Sequence, residues 1–314
     1  MKIRRCSSFA GLALWVVLGP LFRSPLARAG SDVLDGLMPF SEHAKIGFKD
    51  DGGTAVIPPR FDEAKLFRQG VAAVRQGKLW GLIDVNGTML VPPTFDVVLD
   101  GSSEGLIPVA KDGKWSFIDR HGARAFDQSF SNAGGFAEGY ACVEIAGKWG
   151  FIDRTGKLVI QPAFDLVMPF SEGLAAVAVA GKWGYIDATG KARIPLQFEW
   201  AGSFSAGFAA VNKDSKTGFI DTSATVVIPF HFESASVNGF SEGLCAARAK
   251  GKWGLINFAG DWVVEPKYDK VTDCCSGTAV GKLNGRYTVI YAAEVLRRRK
   301  GEAPATSPAT RPGH

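Results

Sequence analysis

The sequence has few of the residues that build catalytic and metal sites. It contains 5 cysteines, 4 histidines and 4 methionines in 314 residues. The histidines share no register with one another, and no acidic segment has the dense spacing of a calcium loop. We therefore predict no catalytic residue, no cofactor and no metal ion. The histidines are His43, His121, His231 and His314.

The cysteines have neither the paired spacing of a zinc site nor that of a dithiol redox site. We interpret Cys142 and Cys245 as small core residues in strands. In an oxidising compartment disulfides are open to this chain, but the sequence does not determine their pairing. The cysteines that lie beyond residue 29 are Cys142, Cys245, Cys274 and Cys275.

The only extended apolar stretch is Phe9 to Phe22, near the start of the chain. Basic residues precede it, and Ala27-Arg28-Ala29 follows as a small-residue cleavage site, a pattern typical of a secretory signal peptide. Gly19-Pro20 interrupts a stretch already shorter than a membrane span needs. We predict a signal peptide at residues 1–29, cleavage after Ala29, no transmembrane span after cleavage, and a periplasmic or secreted protein.

The mature sequence has no excess of either charge. The whole chain carries +5, and residues 1–29 contain five basic and no acidic residues, which leaves zero. Residues 294–314 carry +3 and lack large apolar side chains after Leu296, so we predict a basic segment and a disordered tail there. Residues 30–293 therefore carry −3, which argues against a nucleic-acid partner.

One segment recurs throughout the remaining sequence. GKWGFIDRTGKLVIQP, at residues 147–162, is followed 34 residues later by GKWGYIDATGKARIPL, at 181–196. Along the tryptophan column the successive spacings are 35, 34, 34, 34 and 36 residues. The column contains Trp80, Trp115, Trp149, Trp183, Thr217 and Trp253, with Ile46 and Tyr287 in register at the two ends.

The strand and turn pattern of each unit predicts a small antiparallel meander without a helix. In the unit at 170–203 the predicted strands are residues 174–179, 182–187, 191–195 and 198–203, with Gly-Lys and Ala-Thr-Gly as turns. Both faces of the second strand are apolar, so we expect the sheet to be covered on both sides. The repeat domain spans 30–293, with units near 40–66, 67–100, 101–135, 136–169, 170–203, 204–239, 240–273 and 274–291.

We interpret Trp-Gly as a knob and a hole. On this hypothesis each tryptophan fills the space above a glycine of the neighbouring unit, and the two columns form the core of the repeat. The core residues so predicted are Trp80, Trp115, Trp149, Trp183 and Trp253 with Gly81, Gly150, Gly184 and Gly254. Ser116 replaces glycine in one unit, and the third strand of that unit, at 123–130, is eroded.

The recurring phrase Gly-Lys-Trp-Gly-Phe/Tyr-Ile-Asp, with Thr-Gly-Lys, Val-Ile-Pro and Phe-Asp after it, resembles the bacterial WG or KWG repeat family. The resemblance covers about residues 40–291. It implies an all-β repeat protein, often exported, and no defined catalytic activity.

Two architectures fit stacked β-meanders. A closed propeller arranges about seven units around an axis, and an open β-solenoid stacks them with capped ends. We favour the propeller, because the partial units at 46–64 and 276–290 could complete one blade from both termini. Both fragments supply a second strand, however, and this overlap suits the open array.

Two columns of carboxylates also repeat. We expect Asp84, Asp119, Asp153, Asp187 and Asp221 to accept hydrogen bonds within turns. A second column changes between aspartate and glutamate and is our candidate binding surface: Asp62, Asp96, Asp165, Glu199, Glu233 and Asp269. Gly101 to Gly105 matches a hydrolase G-x-S-x-G pattern but lacks the strand-to-helix context of a nucleophile.

Three functions were weighed against these features. We favour a non-catalytic protein-interaction module of the bacterial cell envelope, with an envelope protein or a glycan as the unknown partner. The alternative is a carbohydrate or cell-wall binder, which would use an exposed phenylalanine column. An enzyme with its site at a propeller's centre ranks last. The phenylalanines of that column are Phe67, Phe136, Phe170, Phe204 and Phe240.

Overall fold

The protein is described here by a computed structural model that places residues 36–99, 104–274 and 277–292. Every regular element named in this part of the chain is a β-strand, and there are 29 of them. The all-β prediction is therefore confirmed. The predicted signal peptide, Cys275 and the C-terminal tail lie outside the described residues.

The strands form eight sheets that follow one another along the chain. Sheet 1 contains β1 (Met38–Glu42), β2 (Lys45–Lys49) and β3 (Ala55–Phe61). Sheet 2 contains β4 (Glu63–Ala64), β5 (Val71–Gln76), β6 (Leu79–Asp84) and β7 (Met89–Phe95). Sheet 3 contains β8 (Val97–Val98), β9 (Ile107–Lys111) and β10 (Lys114–Ile118). Sheet 4 contains β11 (Asn132–Ala137), β12 (Tyr140–Ile145), β13 (Lys148–Asp153) and β14 (Leu158–Phe164).

The second half of the array repeats the same order. Sheet 5 contains β15 (Leu166–Val167), β16 (Leu174–Val179), β17 (Lys182–Asp187) and β18 (Ala192–Phe198). Sheet 6 contains β19 (Trp200–Ala201), β20 (Phe208–Lys213), β21 (Lys216–Asp221) and β22 (Val226–Phe232). Sheet 7 contains β23 (Ser234–Ala235), β24 (Cys245–Ala249), β25 (Lys252–Ile256) and β26 (Trp262–Tyr268). Sheet 8 contains β27 (Lys270–Val271), β28 (Thr278–Leu283) and β29 (Arg286–Tyr291).

A complete sheet has four antiparallel strands: a short strand, followed by the first, second and third strands of a repeat unit, as in β15-β16-β17-β18. The short strand comes from the preceding repeat unit. After the third strand β18 the chain bends at Glu199, and Trp200 of β19 then pairs with Asn212 of the following sheet. The predicted fourth strand of each unit therefore belongs to the next sheet. Each chain crossing ties two consecutive sheets together.

The apolar core lies between consecutive sheets. Seven buried clusters each combine residues of two neighbouring sheets, which matches the seven junctions within a row of eight. At five junctions an aromatic ring two residues after the tryptophan column contacts a phenylalanine of the next sheet. The centroid distances are 4.7 Å for Phe48–Phe67, 5.2 Å for Phe117–Phe136, 4.9 Å for Phe151–Phe170, 4.8 Å for Tyr185–Phe204 and 5.1 Å for Phe219–Phe240.

The two terminal fragments do not complete one blade. Residues 38–61 form sheet 1 and residues 270–291 form sheet 8, and the described strands of these two sheets do not pair. The prediction of a shared seventh blade is wrong, because both fragments supply their own second strand and each builds a separate sheet. The sheets are thus arranged as in a propeller, but the array is not closed.

Candidate functional site

The tryptophans lie opposite an aromatic residue of their own sheet. Trp149 is the register partner of Phe164, Trp183 of Phe198 and Trp253 of Tyr268. Trp115 and Trp183 are buried, whereas Trp80, Trp149 and Trp253 are half-buried. The indole rings therefore pack between the second and third strands of their own sheet, next to the junction with the following sheet.

The glycine after each tryptophan admits the backbone of its own third strand. Between the pairs Trp183–Phe198 and Tyr185–Ile194, the third strand has three residues opposite the single Gly184. A Cβ atom on Gly184 would lie 2.5 Å from the Ile194 carbonyl oxygen, and one on Gly150 would lie 2.5 Å from that of Ile160. The same third-strand backbone fills the space over Gly81 and Gly254.

The knob-and-hole prediction is therefore wrong about the partner. The space above the glycine is occupied from within the same sheet, by a bulge that ends near the proline of the third strand, and not by a neighbouring tryptophan. Sheet 3 lacks both the glycine and a regular third strand. Ser116 stands in this column, and the backbone of residues 119–130 pairs with β10 through the isolated bridges Ile118–Arg124 and Trp115–Phe130.

The second acidic column lies at the bend between two sheets. Asp165 stands between β14 and β15; its Oδ1 is 2.5 Å from Lys148 Nζ, and its Oδ2 accepts the Ala180 N–H of the next hairpin turn at 2.7 Å. Asp62 does the same with Lys45 at 2.6 Å and Gly77 at 2.7 Å. Asp269 binds Lys252 at 2.6 Å and the Asn284 N–H at 2.8 Å.

The remaining members of this column also accept backbone N–H groups of the following turn. The Asp112 N–H donates to the Asp96 carboxylate at 2.7 Å, and the Ser215 N–H donates to Glu199 at 3.0 Å. The Gly251 N–H donates to both oxygens of Glu233, at 3.0 and 3.2 Å. We call these six residues the corner carboxylates. They link consecutive sheets, and their role as a binding surface stays a prediction.

Electrostatics favour the charged form of three corner carboxylates. The hydrogen bond from Lys148, followed by that from the Ala180 N–H, lowers the pKa of Asp165 below its usual value. Lys45 and then the Gly77 N–H lower the pKa of Asp62, and Lys252 and then the Asn284 N–H lower that of Asp269. The three side chains remain accessible to water, so the contacts are screened.

The first aspartate column closes the turn between the second and third strands. Asp187 Oδ1 accepts hydrogen bonds from the Thr189 N–H at 3.0 Å and the Thr189 hydroxyl at 2.6 Å, and the Thr189 contacts lower the pKa of Asp187. Asp84 and Asp221 make the corresponding backbone contacts. The prediction of turn chemistry is confirmed for these residues.

A glutamate contact between units was missed by the sequence reasoning. The Phe-Ser-Glu-Gly turn, which is Phe-Ala-Glu-Gly at 136–139, holds its glutamate with a positive φ, and the carboxylate accepts an N–H from the same turn one unit later. Glu138 accepts from Glu172 at 2.7 Å and Gly173 at 2.9 Å, and Glu172 accepts from Gly207 at 2.9 Å. The recurrence of Glu-Gly at 34-residue intervals was the available signal.

The phenylalanine column is buried. Phe67, Phe136, Phe170, Phe204 and Phe240 are each exposed to 2% or less. A ring that binds a sugar must present its face to solvent, so these five side chains are not available as stacking platforms. The carbohydrate alternative thereby loses the aromatic residues on which it depended.

Cys142 and Cys245 are free, and all three described cysteines are buried. Cys142 on β12 and Cys245 on β24 lie in junction clusters, which confirms their prediction as core residues. Burial raises the pKa of the Cys142 thiol to about 11 and that of Cys245 further. Their thiols are therefore protonated at neutral pH, the less reactive form.

A shallow hollow of about 490 Å³ lies where the repeat pattern is broken. Gln128, Ser129 and Phe130, from the irregular segment after sheet 3, form one side, and Lys157 and Leu158 of sheet 4 form another. Within residues 36–99, 104–274 and 277–292, no group of three or more histidine, cysteine or acidic side chains is arranged to hold a metal ion. No helix in the same ranges is long and apolar enough to cross a membrane.

Comparisons with known proteins agree with this geometry. The chain resembles a eukaryotic initiation factor, with a TM-score of 0.57, 11% identity and coverage of 82% of this chain and 83% of the other. It also resembles the dihydro-heme d1 dehydrogenase NirN, with a TM-score of 0.50, 13% identity and coverage of 85% and 73%. At these identities the likeness shows the fold alone, a propeller-like arrangement of β-sheets.

The family is shown by the sequence itself. The model of the WG containing repeat matches seven times, at residues 46–80, 80–115, 117–149, 149–183, 183–216, 218–253 and 253–287. These matches cover more than half of the chain, so the protein belongs to the WG containing repeat family. A comparison with curated proteins found no match.

Proposed function

We propose that this protein is an exported, non-catalytic repeat protein that serves as a protein-interaction module of the bacterial cell envelope. Export is supported by the basic start, the short apolar stretch and Ala27-Arg28-Ala29 at the beginning of the sequence. The interaction role is supported by a repeat array whose strands run from Met38 to Tyr291, since repeat arrays commonly present extended binding surfaces.

The proposal is supported above all by the hydrogen bonds that the repeated acidic side chains accept within the array. The corner carboxylates, the turn aspartates and the Phe-Ser-Glu-Gly glutamates all accept hydrogen bonds from neighbouring backbone or lysine groups. These are the acidic side chains that recur in most units and that could have supplied acid-base chemistry. Their contacts hold the array together, which favours a scaffold whose surface binds other molecules.

The proposal is tested by crosslinking in the native cell, followed by affinity capture of the tagged protein and mass spectrometry of the bound material. We expect one reproducible envelope protein, and a captured chain whose N-terminal residue is Gly30. Recovery of cell-wall saccharide alone, or of nothing, would refute the interaction role. A chain that still begins at Met1 would refute the export step.

A further inference from the structure

Sheet 8 differs from the other sheets in what lies beyond its second strand. In six of the sheets a regular third strand pairs with the second, and in sheet 3 an irregular segment takes that place. In sheet 8 the second strand, β29, pairs with β28 on one side only within the described residues. Within the described residues, a strand that is internal elsewhere is therefore an edge here.

The face of β29 is exposed as well as its edge, because no further sheet packs on sheet 8 within the described residues. The column two residues after the tryptophan position is exposed to 1% or less in the seven other sheets, but Val289 in this column is exposed to 50%. Tyr287 and Tyr291, on the same face of the strand, are exposed to 71% and 56%. The buried members of the column are Phe48, Leu82, Phe117, Phe151, Tyr185, Phe219 and Leu255.

The edge also lacks the protection that the other edges have. Each regular third strand contains proline, which removes a backbone donor and hinders further strand pairing. β29 reads RYTVIY, without proline and rich in β-branched and aromatic residues. The prolines of the third strands are Pro58, Pro59, Pro92, Pro93, Pro162, Pro195, Pro229 and Pro266.

The sequence after β29 does not supply the missing strand pattern. The residue in register with the buried Ile160, Ile194 and Ile228 of other third strands is Arg298, which stands in the run Arg297–Lys300. Residues 270–314 contain eight basic and three acidic residues, or +5, so residues 30–269 carry −5. Two copies that paired through β29 would bring two basic ends together, whereas an acidic strand would complement this charge.

We propose that β29 binds an extended, acidic segment of a partner protein, which adds to sheet 8 as its third strand. Backbone hydrogen bonds along β29 supply affinity, and apolar side chains of the partner's strand pack beside Val289 and the two tyrosines on the same face. Lys282, whose ammonium lies 5.3 Å from the Tyr287 ring centroid, and Arg286 attract its acidic residues. The inference rests on the proposed function and assigns it a site.

The test uses a synthetic peptide with the chain's own third-strand pattern. The peptide contains residues 158–170, LVIQPAFDLVMPF, after two added glutamates, and a scrambled peptide is the control. We expect the purified protein to bind the first peptide only. Amide hydrogen exchange at residues 286–291 should slow on binding, because paired N–H groups are protected.

Two aspartate variants locate the site. Val289→Asp should weaken binding about tenfold or more, because the charge would lie beside the apolar side chains of the added strand. Val226→Asp is the matched control, since Val226 is a strand valine with 48% exposure on sheet 6, and it should bind as the wild type does. Equal binding by both variants, unchanged exchange at residues 286–291, or a dimer that is lost with Val289→Asp would each overturn the proposal.

The site and the proposed function can fail separately. If the wild type captures an envelope protein in the cell and Val289→Asp captures it equally well, the strand-addition site is wrong and the interaction role stands. If the wild type captures no protein while the peptide results hold, the interaction role is wrong. β29 would then be a strand edge that binds a peptide in vitro but has no protein partner in the cell.

Discussion

Tryptophan and glycine recur together because both serve the pairing of the second strand with the third. The indole meets an aromatic side chain across the pair, as Trp183 meets Phe198. The glycine next to it leaves room for a third strand that has extra residues and therefore bulges inward. A side chain at the glycine position would meet backbone atoms, which cannot rotate away as a flexible side chain could.

Gly184→Ala tests this explanation. The added Cβ would lie 2.5 Å from the Ile194 carbonyl oxygen, so we expect a loss of roughly 1–3 kcal/mol in the free energy of unfolding. Gly135→Ala is the control, because a Cβ there has no atom within 4 Å and the residue is not among the positive-φ glycines. Urea unfolding measures both. An equal effect of the two substitutions would mean that the close approach is not what selects glycine.

At the scale of the elements, the chain crossing at each corner carboxylate determines how sheets are joined. The third strand of one sheet continues as the short strand of the next, and the carboxylate between them binds a lysine behind it and a turn ahead of it, as Asp165 binds Lys148 and Ala180. Sheets cannot separate without breaking these contacts. Each junction therefore has polar contacts at the bend between two sheets and apolar contacts between the sheet faces that pack together.

Acid should weaken these junctions. The folded-state pKa values of Asp62, Asp165 and Asp269 lie below the ordinary value of 3.8, so their contribution to stability is present above that value and is lost as the pH falls through the lower folded-state values. Stability should therefore fall as the pH is lowered below about 4. In urea unfolding at a series of pH values, Asp165→Asn should show a smaller acid dependence than the wild type. An unchanged dependence would show that this carboxylate does not contribute.

The aromatic contact across a junction should matter more than an exposed ring. Phe204 is exposed to 1% and contacts Tyr185 of the preceding sheet, so Phe204→Ala should cost about 3–5 kcal/mol in chemical unfolding. Tyr291, with 56% exposure, is the comparison, and Tyr291→Ala should cost about 1 kcal/mol or less. Similar costs for both variants would show that junction packing does not hold the array.

The local structure could be predicted from the sequence, but the partners of the strands could not. Strand alternation, the Asp-x-x-Gly turns and the buried Cys142 and Cys245 follow from pattern and chemistry at single positions. The sheet to which a short strand belongs does not, because a 34-residue period looks the same whether residues 200–201 pair backward or forward. For the same reason the repeat spacing could not predict which atoms fill the space over Gly184.

For the whole molecule, the number of junctions explains why the ends differ from the middle. Among the described residues, eight sheets with seven junction clusters leave sheet 1 and sheet 8 each with one face that no other sheet covers. Closure was predicted from the complementarity of the terminal fragments, and it fails because both fragments form complete hairpins around their own second strand. The exposed β29 is a direct result of this open arrangement.

The central claim, that the array is an interaction module, is tested most directly by native-cell crosslinking and capture with the wild type, Val226→Asp and Val289→Asp side by side. The account predicts one envelope protein recovered with the wild type and Val226→Asp, and strongly reduced recovery with Val289→Asp. Absence of any protein partner from the wild-type capture would contradict it.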